Sequence, residues 1–282
     1  MKLFTIPNII TLLNLLCGCL AIVFAFDGNL VWSAYLVGIA AVLDFLDGFV
    51  ARALKQYSEI GKQLDSLADM VTFGVVPGVV MFQIFKASFF IETYTSFLKT
   101  WDPVTKPNAH FDYSILICSI AFLLTLFSAL RLAKFNIDTR QSESFIGVPT
   151  PANAILICSF PLAFSQLTGV NFFGPTQFID DYNFVLFGGI MKPGTPDLCA
   201  ILLNKFFLIG LVLVMSFLLI SEIPLFSLKF KSFGWKGNEI RWSFLGMCVV
   251  LLATLQFVGI PLAIVLYILM SIVNNILNRK SA

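Results

Sequence analysis

Apolar residues run along this chain in long blocks separated by short polar segments, a rhythm that predicts helices rather than strands. Runs of spanning length fall near 9–26, 31–50, 63–83, 113–133, 152–170 and 201–222. Each approaches the ~20 residues a helix needs to cross the hydrocarbon of a bilayer. Two further runs, near 243–258 and 260–276, are divided by little more than Gly259-Ile260-Pro261 and predict a hairpin of short or tilted spans. The pattern predicts an all-α fold, a polytopic membrane helix bundle of about eight spans. It divides into a six-span core over 1–222 and, over 223–282, a polar loop followed by the two-span hairpin. The connections near 84–112 and 171–200 carry aromatics, Gly, Pro and Asn, and are expected to be irregular loops lying at the interface.

Composition agrees. Of 282 residues, 58% are hydrophobic and only 12% charged, where a soluble domain carries about a quarter charged. One Lys precedes the first apolar run and no Ala-x-Ala site follows it, so that run reads as a retained span. The six Cys lie mostly within apolar runs without ligand spacing and read as small apolar residues. Net charge is only +2, but its distribution is informative. With the amino terminus inside, 13 of the 18 Lys and Arg fall on inner segments. That bias places both termini in the cytoplasm and the chain in the cytoplasmic membrane. No phosphate-binding Gly-rich loop of the Walker type is present, and no nucleic acid is expected as a partner. The single His110 falls in an outer connection, so a base at an inner site has to be a carboxylate.

Against this apolar background one stretch stands out. It reads Asp44-x-x-Asp47-Gly48-x-x-Ala51-Arg52, then Gly61-x-x-x-Asp65-x-x-x-Asp69. Residues three or four apart share a helix face, so Asp44 pairs with Asp47 and Asp65 with Asp69. The polar segment from Arg52 to Lys62 can reverse the chain and turn the two pairs toward each other. Four crowded carboxylates repel and are costly to bury uncompensated; a divalent cation relieves both effects. An all-oxygen donor set points to Mg²⁺ or Mn²⁺, one or two ions, rather than zinc. The plainer reading pairs these acids with Arg52, Lys55 and Lys62 or leaves them solvated at helix ends. The small residues Gly48, Ala51 and Gly61 favour a ligand site, because they let a ligand approach the helix backbone.

Other polar residues interrupt apolar sequence. Asn8 and Thr11 open the first span; either caps the helix or contacts a ligand, and Asn14 is placed to pair with Thr11. Arg131 and Lys134 share one face at the inner end of the fourth span, either as lipid-phosphate anchors or as partners of an anionic substrate group. Phe145-Ile-Gly147-Val-Pro149-Thr150-Pro151-Ala-Asn153 predicts an extended approach to the fifth span that leaves Asn153 free to face a polar ligand, or simply a rigid turn.

The four-Asp stretch resembles the signature of the CDP-alcohol phosphotransferases, with every specified residue in place and an eight-residue spacer between Arg52 and Gly61. The stretches Arg131-Leu-Ala-Lys-Phe-Asn136, Phe145 to Ala152 and Ser221-Glu-Ile-Pro-Leu-Phe are similar to those of one branch, the bacterial type II phosphatidylserine synthases. That resemblance implies a catalytic core over 1–222 and transfer of a phosphatidyl group from CDP-diacylglycerol to L-serine, giving phosphatidylserine and CMP. It implies Asp44, Asp47 and Asp65 as metal ligands, and Asp69 as general base with possible contact to metal. Asn8, Thr11, Gly48, Ala51, Arg52 and Gly61 would border the CDP-lipid, although Arg52 also suits a structural partner of the carboxylates. Arg131, Lys134 and Asn153 would face serine or a phosphate. A homodimer embedded in membrane lipid is implied by the resemblance alone. Within the family, glycerol 3-phosphate or inositol phosphate are alternative acceptors. Outside it, intramembrane carboxylates also mark metal or ion transporters, but the carboxy-terminal half has no matching acidic pair.

Overall fold

The computed structural model describes residues 3–100, 111–138, 145–168, 177–178, 184–186, 189–191, 202–226, 234–235 and 237–279. Helix α1 (Ile6–Phe26) and helix α2 (Leu30–Leu54) form an antiparallel hairpin, turned at Gly28 with φ +78°. Thr5 caps α1, its side chain accepting the Asn8 N–H at 3.4 Å. Neither Asn8 nor Thr11 is the cap: the helix starts at Ile6, three positions before an Asn8 cap would start it, with Pro7 in its first turn.

The polar segment after Arg52 does reverse the chain. Lys55 takes a left-handed conformation (φ 52°), and Ser58 caps α3 (Glu59–Asp69) by accepting the Gly61 N–H at 3.0 Å. Helix α3 passes without a break into a six-residue π-helical segment, Met70–Val75, and then into α4 (Val76–Thr100). The irregular loop expected from residue 84 is therefore helical as far as Thr100. The rest of that connection, with His110, lies outside the described residues.

Next come α5 (Phe111–Cys118), a 3₁₀ turn (Ser119–Phe122), α6 (Leu123–Ile137), β1 (Phe145–Ile146) and α7 (Thr150–Thr168). Within the expected outer loop at 171–200, three short strands form an antiparallel sheet: β2 (Gln177–Phe178), β3 (Phe184–Leu186) and β4 (Gly189–Met191). The chain continues through α8 (Lys205–Ile220), β5 (Pro224–Leu225), α9 (Glu239–Leu255) and α10 (Gly259–Arg279).

Five stretches among the described residues are long and apolar enough to cross a membrane: Ile6–Phe26, Leu30–Leu54, Glu59–Phe89, Ile115–Ile137 and Glu239–Leu277. The count is lower than the eight expected spans because α8 has only 16 residues, α7 is not among them, and the last stretch is two helices. That last stretch folds back at Gln256, bringing Phe244 and Tyr267 to a ring separation of 5.6 Å. The protein is an all-α polytopic membrane bundle. Its central element is Glu59–Phe89, 67% buried along its apolar window, against 11–33% for the other four stretches. Lipid-facing surfaces are apolar: Leu13 and Leu16 on α1, Phe45 and Phe49 on α2, Leu126 and Leu130 on α6, and Val249 and Val250 on α9 are all exposed.

Because lipid is as apolar as Leu, helices in a bilayer associate through close packing and hydrogen bonds rather than water exclusion. Gly18 and Gly78 provide that closeness around the π-helical segment. A β-carbon on Gly18 would collide with Thr72, and one on Gly78 with the Thr125 hydroxyl.

At the end of the bundle that holds the amino terminus, a strap crosses from α6 to α10. Strand β1 pairs antiparallel with β5, Phe145 opposite Leu225. The Gly147 N–H donates to Ile223 O at 2.9 Å and Val148 N–H to Leu218 O at 3.0 Å. Helix α10 holds the outer strand: Tyr267 OH donates to Phe226 O (2.9 Å) and Asn275 Nδ2 to Pro224 O (2.5 Å). At the opposite end Gln166 clasps the α9–α10 turn, donating to Leu255 O and accepting from the Phe257 and Val258 N–H groups.

Candidate active site

The last turns of α2 and the whole of α3 face each other across α1, and this arrangement brings the carboxylates together. One oxygen from each of Asp44, Asp47 and Asp65 lies within 4.8 Å of the others. Asp69 reaches the Asp44 carboxyl at hydrogen-bonding range, while its Oδ1 is buried without a partner. Asp47 is the most enclosed, 6% exposed, and accepts a hydrogen bond from Thr11 Oγ1 at 2.6 Å.

No Lys or Arg among the described residues is seen in an ion pair with these four; Lys134, on α6, pairs with Glu222 instead. Clustered carboxylates without a basic partner, one with an orphaned buried oxygen, fit a divalent cation held by oxygen donors. The reading that paired them with Arg52, Lys55 and Lys62 is not what the fold builds. Arg52 in particular is exposed in the last turn of α2, with its guanidinium folded back toward Gly48. It forms no ion pair with the carboxylates, because its guanidinium folds back along α2 instead of reaching across to them.

A cavity of about 540 Å³ opens beside the cluster, within the range of small-molecule sites. Asn8, Thr11, Asp47, Gly48, Ala51, Gly61 and Asp65 line it. Asn8 is held by its Nδ2, which donates to Leu3 O at 2.8 Å. Thr11 points at Asp47 rather than at Asn14, whose side-chain amide is buried with no partner. The expected Thr11–Asn14 pair does not form, since one turn of helix separates the two along the axis and the nearer acceptor is the carboxylate. Gln56, Tyr57, Ser58, Glu59 and Lys62 complete the wall. Sequence reading treated that segment only as a chain reversal; its place inside the motif's spacer was the available signal.

Arg131, Lys134 and Asn153 do not line this cavity. Arg131 is buried on α6, donates from Nε to Val148 O at 3.2 Å, and lies over the Phe135 ring. Lys134 is occupied by Glu222 at 3.1 Å. Asn153 is fully buried and both its amide atoms lack partners. Ser66 and Asn136 hydrogen-bond to each other (3.0 Å), tying α3 to α6. Arg140, another basic residue of this end, lies outside the described residues.

Comparison with known proteins places this geometry. The sequence model of the CDP-alcohol phosphatidyltransferase family matches residues 4–179. The chain is 32% identical over 157 residues to a CDP-diacylglycerol–serine O-phosphatidyltransferase of Helicobacter pylori, covering 55% of this chain and 56% of that one. It is also 32% identical over 157 residues to the protein of that name from Bacillus subtilis, covering 55% of this chain and 75% of the relative. An archaetidylserine synthase of Methanothermobacter thermautotrophicus is 29% identical over 167 residues, 58% of this chain and 61% of its own length. The matched part thus spans little more than half of the Helicobacter relative. All the residues of the carboxylate cluster and its cavity fall inside the family match, and the chain belongs to the CDP-alcohol phosphatidyltransferase family.

Proposed function

We propose that this protein transfers the phosphatidyl group of CDP-diacylglycerol to the hydroxyl of L-serine, releasing CMP. The observation that carries the reading is the cluster of Asp44, Asp47 and Asp65, two of which, Asp47 and Asp65, line a nucleotide-sized cavity. Asp44, Asp47 and Asp65, with Asp69, would hold Mg²⁺ or Mn²⁺, which when bound neutralises diphosphate charge and favours in-line displacement. Asn8, Thr11, Gly48, Ala51 and Gly61, which line the cavity, border the cytidine diphosphate, and Arg52, whose guanidinium folds back toward Gly48, reaches it from beside the wall. Asp69 takes the seryl proton as the hydroxyl oxygen attacks the lipid-side phosphorus; the bond to the CMP oxygen breaks and CMP leaves with that electron pair. A carboxylate suits this task only because the site is enclosed and crowded with other carboxylates.

Serine is the acceptor in the relatives' printed names. On α6, Lys134 pairs with Glu222 at 3.1 Å, which leaves the buried Arg131 as that helix's cation for an anionic group of the acceptor. The basic residues around the site, Arg52, Lys55, Lys62, Arg131 and Lys134, support a position at the cytoplasmic face of the cytoplasmic membrane, with both termini on that side. A catalytic core over 1–222 with an added hairpin over 223–282, and assembly as a homodimer, belong to the same proposal.

The test is CMP release by purified protein given CDP-diacylglycerol, Mn²⁺ or Mg²⁺, and one acceptor at a time. Release with serine alone supports the assignment. Release only with glycerol 3-phosphate or inositol phosphate overturns serine but keeps the chemistry. No release with any acceptor, from folded protein that binds metal, overturns the enzyme reading in favour of transport.

A further inference from the structure

We infer that Thr125 is a positioning residue for Asp69, acting through the π-helical segment that follows it. The inference rests on Asp69 belonging to the carboxylate site described above. Asp69 is the residue at which the regular helix ends. Beyond it the turn widens, and the Val76 N–H reaches back five residues to Val71 O. A wide turn inserts one residue, which rotates everything after it by about 100° relative to a continuous α-helix. Two faces depend on that offset. Before it, Asp65 and Asp69 point at Asp44 and Asp47; after it, Val76, Val80, Ile84 and Phe85 are fully buried in the core. A straight α-helix would satisfy one face and swing the other aside, and the core face is the larger.

The wide turn is gripped from two sides. From α6, Thr125 Oγ1 donates to Gly74 O at 3.0 Å. From α1, the Asn14 carbonyl accepts from Thr72 Oγ1 at 3.3 Å. Gly74 O is a carbonyl of the wide turn itself, and the Thr125 hydroxyl occupies the space that a side chain on Gly78 would fill. Glycines mark the close approaches: Gly18 of α1 against Thr72, Gly74 within the segment against Met70 and Ser128, and Gly78 of α4 against Thr125. Neither Thr125 nor Thr72 lines the cavity, so their effect on the reaction passes through the position of Asp69.

The experiment compares Thr125→Val, which exchanges the hydroxyl for a methyl of similar size, with Thr125→Ser, which keeps the donor. Mn²⁺ binding is measured by electron paramagnetic resonance on the full-length protein in detergent without substrate, and turnover is measured separately. Thr125→Val is expected to weaken Mn²⁺ binding by about 10-fold, the scale of losing an outer support of a metal site. It should lower kcat similarly while leaving the KM for CDP-diacylglycerol in place, and Thr125→Ser should restore both. Thr72→Val loosens the other grip and should weaken Mn²⁺ binding in the same direction, which provides a second test should Thr125→Val not fold. Wild-type Mn²⁺ binding in either valine variant, or a serine variant as impaired as the valine one, overturns the inference. If the wild type binds Mn²⁺ but releases no CMP, the proposed reaction falls, and Thr125 is judged on metal binding alone.

Discussion

Thr11 on α1 donates its hydroxyl to Oδ2 of Asp47 on α2 at 2.6 Å. The bond fixes the rotamer of the most buried carboxylate, one of whose oxygens lies within 4.8 Å of oxygens of Asp44 and Asp65. A Thr side chain has few χ1 choices in a helix, so the donor is itself well ordered. Thr11→Val removes the bond at nearly constant volume. It is expected to weaken Mn²⁺ activation of CMP release by about 10-fold or more, as outer supports of metal ligands do, with Thr11→Ser close to wild type. A valine variant with an unchanged Mn²⁺ requirement would mean that Asp47 is held by packing alone.

Like charges held together in the absence of a cation should make the metal-free protein less stable than the loaded one. Anything that binds only the folded state stabilises it, by about 2.7 kcal/mol at a concentration 100 times Kd. Adding Mn²⁺ to chelator-treated protein should therefore raise Tm. Asp44→Asn should raise the metal-free Tm, because it removes a repelling charge, and should shrink the increment that Mn²⁺ adds. Measured by thermal unfolding in detergent, an Mn²⁺ increment equal in wild type and Asp44→Asn would remove Asp44 from the ligand set.

Gly48 and Gly147 separate ligand space from backbone geometry. A β-carbon on Gly48 would meet nothing nearer than Arg52 Nη1 at 3.9 Å, so Gly48→Ala should fold normally. The added methyl borders the cavity, and the expected result is a raised KM for CDP-diacylglycerol with Tm unchanged. Gly147 has φ +75°, and a β-carbon there would come within 2.8 Å of the Leu219 and Ser221 carbonyl oxygens. The left-handed conformation alone costs a non-glycine residue about 1–2 kcal/mol. Gly147→Ala should lower Tm markedly, and a variant as stable as wild type would show that the strap can rearrange.

The carboxylate site was legible in the sequence because its information is local. Asp44 and Asp47 share one turn, Asp65 and Asp69 share another, and the spacer of polar residues can only reverse the chain. Helix existence was equally legible, since apolar runs of spanning length have few other uses. What pattern could not show depends on residues far apart in the chain. The pairing of Phe145 with Leu225, and of Lys134 with Glu222, joins segments about 80 positions apart with no periodicity to announce it. The π-helical segment at Met70–Val75 left no trace either, because its sequence is an ordinary apolar run and the helices packed against it decide its width. The expected role of Arg52 failed for a related reason. Spacing placed it near the acids, but from the last, exposed turn its guanidinium folds back toward Gly48 on its own helix instead of reaching a carboxylate.

The carboxy-terminal hairpin lies beyond the family match at 4–179, yet it holds the strap that positions Arg131. Arg131 Nε donates to Val148 O, Val148 N–H donates to Leu218 O, β1 pairs with β5, and Tyr267 on α10 donates to Phe226 O at the end of that strand. Tyr267→Phe removes a single hydrogen bond, worth about 1 kcal/mol, and keeps the ring packed against Phe226 and Phe244. If Arg131 meets the acceptor's carboxylate, loosening the strap should raise the KM for serine several-fold. The KM for CDP-diacylglycerol should hold, because Asn8, Thr11 and Gly48 stand on α1 and α2, to which none of the strap's hydrogen bonds described above runs. Arg131→Lys should show the same selectivity more strongly, since a single ammonium cannot both bond Val148 O and pair with a carboxylate in a planar fork. Steady-state kinetics with each substrate varied in turn decides the point: equal loss on both substrates would make the hairpin a general support, and no loss in either variant would remove Arg131 from the acceptor site.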